Sequence, residues 1–261
     1  MGSPKVAVKA VTKRFQVGTS NVVALNSVSL EVAKGEFCSI VGPSGCGKST
    51  LLRLVARLET FEKGEIQIVQ EDPSRPLCNM IFQEQSAFPW MTVRQNIGYG
   101  LRMRGVQRAQ IAKVVDYYLD AVRLKQFAGA YPYQLSGGMR QRVSIARAFA
   151  NDPELLLMDE PFAALDALTK TVMADELLGL WEQAKKTVIY VTHSLEEAIL
   201  LSDRVMVMTA RPGTFKAQIS VDFPRPRSPE IKDSAHFLAL HAEIWNHLRD
   251  EVVGVAIGVP N

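Results

Sequence analysis

The sequence predicts an α/β fold, and three observations carry that prediction. Short apolar runs at Phe37–Val41, 155–158 and 188–191 read as strands buried on both faces, which is the habit of a parallel sheet lying under helices. Between them stand stretches whose apolar residues recur at helical spacing. The first of these runs meets its helix through a glycine-rich turn, so strand, loop and helix follow in order.

Along the chain, Val28, Leu30 and Val32 alternate as a half-buried strand does. After the turn that follows Phe37–Val41, Leu51, Leu54, Val55 and Leu58 mark a helix. A second helix is marked by Ile111, Val114, Val115, Tyr118, Leu119 and Val122, and a third covers roughly 168–184 with Met173, Leu177, Leu180 and Trp181 on one face. The run 205–208 reads as one more strand. From about 90 to 150 the pattern is helical with no convincing strand, which suggests a helical subdomain inserted into the α/β core. Beyond about 212 come PGTFK and FPRPRSPE, turn-rich and dense in proline, and then a final helix over roughly 231–250. The expected organisation is one domain over 1–230, with the insertion inside it, and a short helical tail over 231–261.

Composition narrows the function classes. With 47% hydrophobic and 22% charged residues, the 261-residue chain is ordinary for a globular protein with a real core. A net charge of +3 is too small to argue for nucleic acid, and no nucleic-acid partner is expected. No apolar run approaches the roughly 18 to 20 residues of a membrane span, and the N-terminus lacks a secretory pattern. Cys38, Cys46 and Cys78 are an odd set without CxxC spacing, so neither a disulfide framework nor a zinc site is indicated. The expectation is a chain in the reducing cytosol that would serve a membrane process only by docking on another protein's spans.

The chemistry lies in three places. Gly42, Pro43, Ser44, Gly45, Cys46, Gly47, Lys48, Ser49 and Thr50 form a GxxxxGK[ST] loop between strand and helix. Such glycines turn backbone N–H groups inward onto phosphate oxygens, and the helix N-terminus adds partial positive charge. Lys48 should contact the β and γ phosphates, and Ser49 should give an oxygen to Mg²⁺. The run 155–158 ends in Asp159 and Glu160, where an open α/β sheet binds its ligands. Asp159 would hold Mg²⁺ and Glu160 would act as general base. A strand ending in Asp-Glu means little alone; its place after the loop and the inserted helices gives it weight. Ser136, Gly137 and Gly138, in LSGGMRQR, form a second capped anion cradle at the start of a helix continuing to about Ala150. One γ-phosphate does not need two cradles from one molecule. A head-to-tail pair, each Ser136 turn closing over the other copy's nucleotide, resolves the surplus.

With these motifs in this order, the whole chain resembles the ABC (ATP-binding cassette) ATPase family. The resemblance implies a P-loop NTPase (RecA-like) core with an N-terminal antiparallel β subdomain and an inserted α-helical subdomain, using ATP and Mg²⁺. It places Phe15 as the aromatic that stacks on adenine, although a plain core residue is an open alternative. It makes Gln83 the glutamine that reaches Mg²⁺ or the attacking water, Asp166 part of a loop crossing the dimer interface, and His193 the switch histidine on the γ-phosphate. Lys48, Gln83, Glu160 and His193 are then the catalytic set. Three departures stand out: Ala163 where relatives carry glycine, Arg57 where a glycine often stands, and Cys46 at a variable position, read as filler with a thiol open to alkylation.

A single detached cassette without spans looks like a bacterial importer subunit. Phe88-Pro89-Trp90-Met91-Thr92-Val93, Ala164-Leu165-Asp166-Ala167-Leu168-Thr169 and Phe223-Pro224-Arg225-Pro226-Arg227 resemble the nitrate, sulfonate and taurine (or bicarbonate) importer branch. For FPRPR, a plain proline turn with solvated arginines is the alternative. The branch implies two integral membrane permease subunits, an extracytoplasmic solute-binding protein, and a place on the cytoplasmic face of the inner membrane. Rival readings are a non-transport ABC ATPase, a cassette for another solute or lipid, and a P-loop kinase, against which LSGGMRQR speaks.

Overall fold

The structure, a computed structural model, describes residues 3–83 and 87–256. The chain opens with a long antiparallel hairpin, β1 (Val6–Val17) and β2 (Ser20–Val32). Val6, Val8 and Val11 are buried together with Val28, Leu30 and Val32, so the alternation in the sequence marks the hairpin's inner face. β3 (Phe37–Val41) leads through the glycine loop into α1 (Lys48–Val55).

Helix α1 stops a turn short of the periodicity that runs to Leu58. Arg57 adopts a left-handed backbone with φ 59°, the Leu58 N–H donates to Arg53 O at 2.9 Å, and Leu58 is left 58% exposed. This is a glycine-type helix cap made by an arginine, which gives the departure at Arg57 its structural meaning. β4 (Lys63–Ile68) then pairs with β1, completing a three-stranded antiparallel sheet in the order β2-β1-β4.

After β5 (Cys78–Ile81) the chain is helical: α2 (Val93–Ile97), α3 (Tyr99–Met103), α4 (Arg108–Ala121) and α5 (Gly137–Ala150). It returns to the core with β6 (Leu155–Asp159), α6 (Ala167–Ala184), β7 (Thr187–Val191), α7 (Leu195–Leu201), β8 (Arg204–Met208) and β9 (Phe215–Ser220), and ends in α8 (Ala235–Ala256). The sheet order is β5-β6-β7-β3-β8-β9, parallel throughout except for the antiparallel edge strand β9. β3, β6 and β7 are buried along their whole length. Alternate residues of these strands serve opposite faces: Phe37, Leu156 and Tyr190 meet Phe149 and Trp181 of α5 and α6, whereas Ile40, Leu157 and Val191 meet α1 and the hairpin. A third cluster packs α7 and α8 on β8 and β9.

Two polar ties hold the layers in place. Lys5 and Glu154 form a buried ion pair between the start of β1 and the residue before β6. Arg227 is 7% exposed and donates to Ile199 O at 3.1 Å, Leu200 O at 3.1 Å, Ser202 O at 2.6 Å and Val221 O at 3.0 Å. Arg225 stacks over Trp181 and pairs with Asp203 at 2.7 Å. The arginines of FPRPR are therefore not solvated; they satisfy the carbonyls that α7 leaves open at its C-terminus. Among the described residues no helix is long and apolar enough to cross a membrane.

Candidate active site

β3, β6 and β7 are neighbours or near neighbours in the sheet, so the loops at their C-terminal ends converge. The loop after β3 is shaped by close packing. Gly47, the residue before α1, has φ 108°, and a Cβ there would lie 2.7 Å from Leu25 Cδ2; a Cβ on Gly42 would lie 2.9 Å from Met208 O. Side chains at these positions would push the loop off β2 and β8. Lys48 is 5% exposed and donates to Gly42 O at 2.8 Å and Pro43 O at 3.0 Å, so its ammonium sits inside the loop. The Cys46 side chain turns into the core at 1% exposure, and burial first of all raises its thiol pKa. That corrects the expectation of an alkylatable thiol: a buried, protonated sulfur is a poor nucleophile.

The first turn of α1 meets the end of β6. Ser49 Oγ donates to Asp159 Oδ1 at 2.7 Å, and burial raises the Asp159 pKa against the opposing pull of that hydrogen bond. Hydroxyl and carboxylate oxygens side by side are a donor set that suits Mg²⁺, which takes one or two protein oxygens and completes its octahedron with water and phosphate. The next residue, Glu160, has φ 45°. Its N–H donates to Val191 O at 2.9 Å, and its Oε2 lies 2.8 Å from His193 Nδ1. The hydrogen bond from His193 is the main reason the Glu160 carboxyl is held below its usual range, and Glu160 in turn raises His193.

A cleft of about 460 Å³ opens beside these groups, and Ser44, Gly45, Gly47, Lys48, Ser49, Thr50, Gln83 and Glu160 line it together with Phe15. Phe15 belongs to none of the core clusters, so the alternative that it is a plain core residue does not hold; Lys13 Nζ lies 4.7 Å from its ring centre. Val22, Ala24 and Arg211 also line the cleft, and the sequence reading did not single them out. Arg211 sits in the β8–β9 turn and donates to Gly45 O at 3.2 Å. Its only signal in the sequence is an arginine before Pro-Gly between two strands. Gly42, Pro43 and Cys46 do not line this cleft, nor does His193, which borders a neighbouring one with Pro43.

The other predicted residues lie elsewhere. Ser136 caps α5, accepting from Met139 N–H at 3.3 Å, and neither it nor Gly137 nor Gly138 lines the cleft of its own chain. Asp166 caps α6, accepting from Thr169 N–H at 3.0 Å and Thr169 Oγ1–H at 2.7 Å. Ala163 keeps an ordinary backbone and needs no glycine. Among the described residues no three His, Cys, Asp or Glu side chains converge as a metal cage.

A glycine loop joining a buried parallel strand to a helix, with a carboxylate pair at the end of the next strand but one in the sheet, defines a P-loop NTPase. Comparison with known proteins gives the particular kind. Residues 25–163 match the family model described as ABC transporter. An uncharacterized ABC transporter ATP-binding protein of Methanocaldococcus jannaschii is 45% identical over 95% of this chain and 93% of its own. The nitrate import ATP-binding protein NrtD of Synechocystis is 43% identical over 88% and 89%, and the aliphatic sulfonates import ATP-binding protein SsuB of Bacillus cereus 42% over 92% and 94%. A solved dimeric ATP-binding cassette, in a post-hydrolysis state with ADP and Pi, superposes with a TM-score of 0.73 at 32% identity over 84% of this chain and all of that one. The chain belongs to the ABC transporter family and is its ATP-binding, ATP-hydrolysing subunit.

Proposed function

We propose that this chain drives a bacterial importer of a small anion such as nitrate, a sulfonate, taurine or bicarbonate, working as a head-to-tail pair on the cytoplasmic face of the inner membrane. The observation that carries the pairing is that the Ser136–Gly138 turn stands apart from the cleft of its own chain, leaving that cleft's open side for a second copy. The importer reading draws on the nitrate and sulfonate relatives and on an aromatic recess of about 370 Å³. Phe88, Tyr99, Met80 and Met103 line that recess, and Trp90 stands 68% exposed against Phe88. Aromatic and methionine walls shared with Arg104 and Arg147 suit a short helix from each of two permease subunits, which would in turn meet a solute-binding protein outside. The half-buried Phe88 is the wall of the recess rather than a second exposed knob.

In this mechanism Phe15 stacks on adenine, and the amides of 42–47 and the first turn of α1 receive the phosphates. Lys48 exchanges its loop carbonyls for the β and γ oxygens. Ser49, Asp159 and Gln83 would hold Mg²⁺, which neutralises charge on the phosphates. Glu160 takes the proton of the attacking water, and His193 orients that carboxylate through the 2.8 Å contact and faces the γ-phosphate. Ser136, Gly137, Gly138 and Asp166 act from the second copy. Release of phosphate removes the charge that ties the copies together, and the pair opens.

The test is Glu160→Gln. ATP should still bind and a dimer should accumulate, while hydrolysis falls by about 10² to 10⁴. Hydrolysis at full speed would refute Glu160 as the base. Purification of the chain from its native membrane without integral membrane subunits would refute the importer reading.

A further inference from the structure

Two apolar features remain that this chemistry does not use. On α6, Leu168 is 83% exposed and Val172, one turn further on the same face, is 45% exposed, where a solvated helix carries polar side chains. This knob stands in the first turns after the Asp166 cap, next to the Ser136–Gly138 turn of LSGGMRQR (the signature turn), since a Cβ on Gly138 would lie 3.0 Å from Thr169 Cγ2. The second feature is a cleft of about 320 Å³ on the other side of the site. Ser44 and His193 form its polar edge, and Leu195, Trp245, Leu248 and Val252 form its apolar walls. Trp245 and Val252, both on α8, are 46% and 36% exposed. The knob therefore flanks the signature turn, and the cleft flanks the P-loop and the switch histidine.

A head-to-tail pair sets the signature turn of each copy against the P-loop of the other, so it carries each knob toward the other copy's cleft. Resting on that reading, we propose that Leu168 and Val172 of one copy seat between His193–Leu195 and α8 of the second, as an apolar latch formed only when the cassettes close. A second copy is the occupant that fits. The cleft is continuous with the face that receives the partner's signature turn, its apolar walls match the knob in chemistry, and the twofold makes both latches at once. The latch would also couple the C-terminal helix to the nucleotide, because its polar edge is the histidine that holds Glu160.

The test uses the full chain carrying Glu160→Gln, whose ATP-dependent dimer is measured by sedimentation. Adding Leu168→Ala should weaken each latch roughly tenfold, and the dimer dissociation constant about 100-fold because the twofold makes two latches. Position 168 is a surface site, so the melting of the ATP-free monomer should not change. Trp245→Ala should act in the same direction, and the pair of substitutions should be no worse than the stronger single one by more than about threefold, since both remove one contact. The loss should be insensitive to salt, which separates it from the phosphate ties. A dissociation constant within about twofold of the parent for Leu168→Ala, or losses that simply multiply in the combined variant, would overturn the latch while leaving the pair intact. If the parent itself stays monomeric with ATP, the head-to-tail reading fails and the latch falls with it.

Discussion

Replacing Glu154 by Gln probes how the hairpin sheet, and Phe15 with it, is fixed to the catalytic core. Glu154 and Lys5 expose only 4% and 3% of their side chains. Besides Lys5, the carboxylate accepts from Glu71 N–H at 3.0 Å and Asp72 N–H at 2.6 Å. Burial works against its charge, but Lys5 and the two amides outweigh that cost and hold the carboxyl at about 2, down from 4.5. At about 1.4 kcal/mol per tenfold, that gap corresponds to about 3 kcal/mol. A buried pair broken on one side loses about 3 to 5 kcal/mol, because the remaining ion has no partner. Glutamine keeps one acceptor, turns an NH₂ toward the amide donors, and leaves the buried Lys5 ammonium with the Val69 carbonyl but no counter-charge. Urea unfolding at pH 7 should therefore show Glu154→Gln less stable by about 3 kcal/mol. Because the folded pKa is depressed, the wild-type advantage is complete above the ordinary carboxyl range and shrinks as pH falls through 4.5 toward 2. The variant should also raise the KM for ATP more than it lowers kcat, since the broken tie anchors the hairpin sheet that carries Phe15, whereas the base Glu160 stands at the opposite end of β6 and its histidine follows β7. A loss under about 1 kcal/mol, or a difference between the chains that is constant down to pH 4, would refute the argument.

Other perturbations follow from the same geometry. Arg57→Gly should stabilise the chain by about 1 kcal/mol, because φ 59° costs an arginine what it does not cost glycine; a lower melting temperature would show that the Arg57 side chain holds something that outweighs the strain. Arg227→Lys should cost about 2 kcal/mol in urea unfolding, since an ammonium cannot meet four carbonyls from a planar fork, and a neutral result would mean that charge alone suffices there. In the wild type, Glu160 stays ionised below the ordinary carboxyl range and His193 stays protonated above its own, so their pairing is complete between those limits. His193→Ala should lower kcat and move the acid limb of its pH profile upward toward an ordinary glutamate, and an unmoved limb would remove His193 as the cause.

The parts legible in the sequence are those where local constraint and chemistry coincide. The glycine loop, the run ending in Asp159-Glu160 and the cap at Ser136 each state their backbone geometry in their own residues, and α5 and α6 lie where capping and periodicity put them. The rest depends on contacts that no short window contains. β4 and β5 are mostly exposed or half-buried, so they lack the continuous apolar runs that mark β6 and β7 as strands. Arg211 reaches the cleft because the β8–β9 turn is pinned elsewhere, by Gly213 N–H to Ala24 O at 2.9 Å and Asn26 N–H to Gly213 O at 3.0 Å. The Lys5–Glu154 tie joins residues 149 positions apart in the chain. FPRPR carried a turn signal, but its arginines look solvated until α7 supplies the carbonyls that bury Arg227.

Glu160 and Arg57 carry the same backbone strain with opposite meanings. Both are non-glycine residues in the left-handed region, with φ 45° and 59°, a conformation costing about 1 to 2 kcal/mol. At Arg57 the strain ends a helix, a task glycine performs at lower cost. At Glu160 the backbone is clamped by its N–H to Val191 O at 2.9 Å and by its carbonyl, which accepts from Ala163 N–H at 3.1 Å. That clamp turns the chain sharply off the end of β6, so that two successive carboxylates diverge, Asp159 toward Ser49 and Glu160 toward His193. A relaxed strand would instead send them to opposite faces of the sheet. Glycine would relieve the turn but has no carboxylate to offer. Strain is retained where the side chain is needed and is removable where it is not, which separates the two sites more sharply than their identical backbone class does.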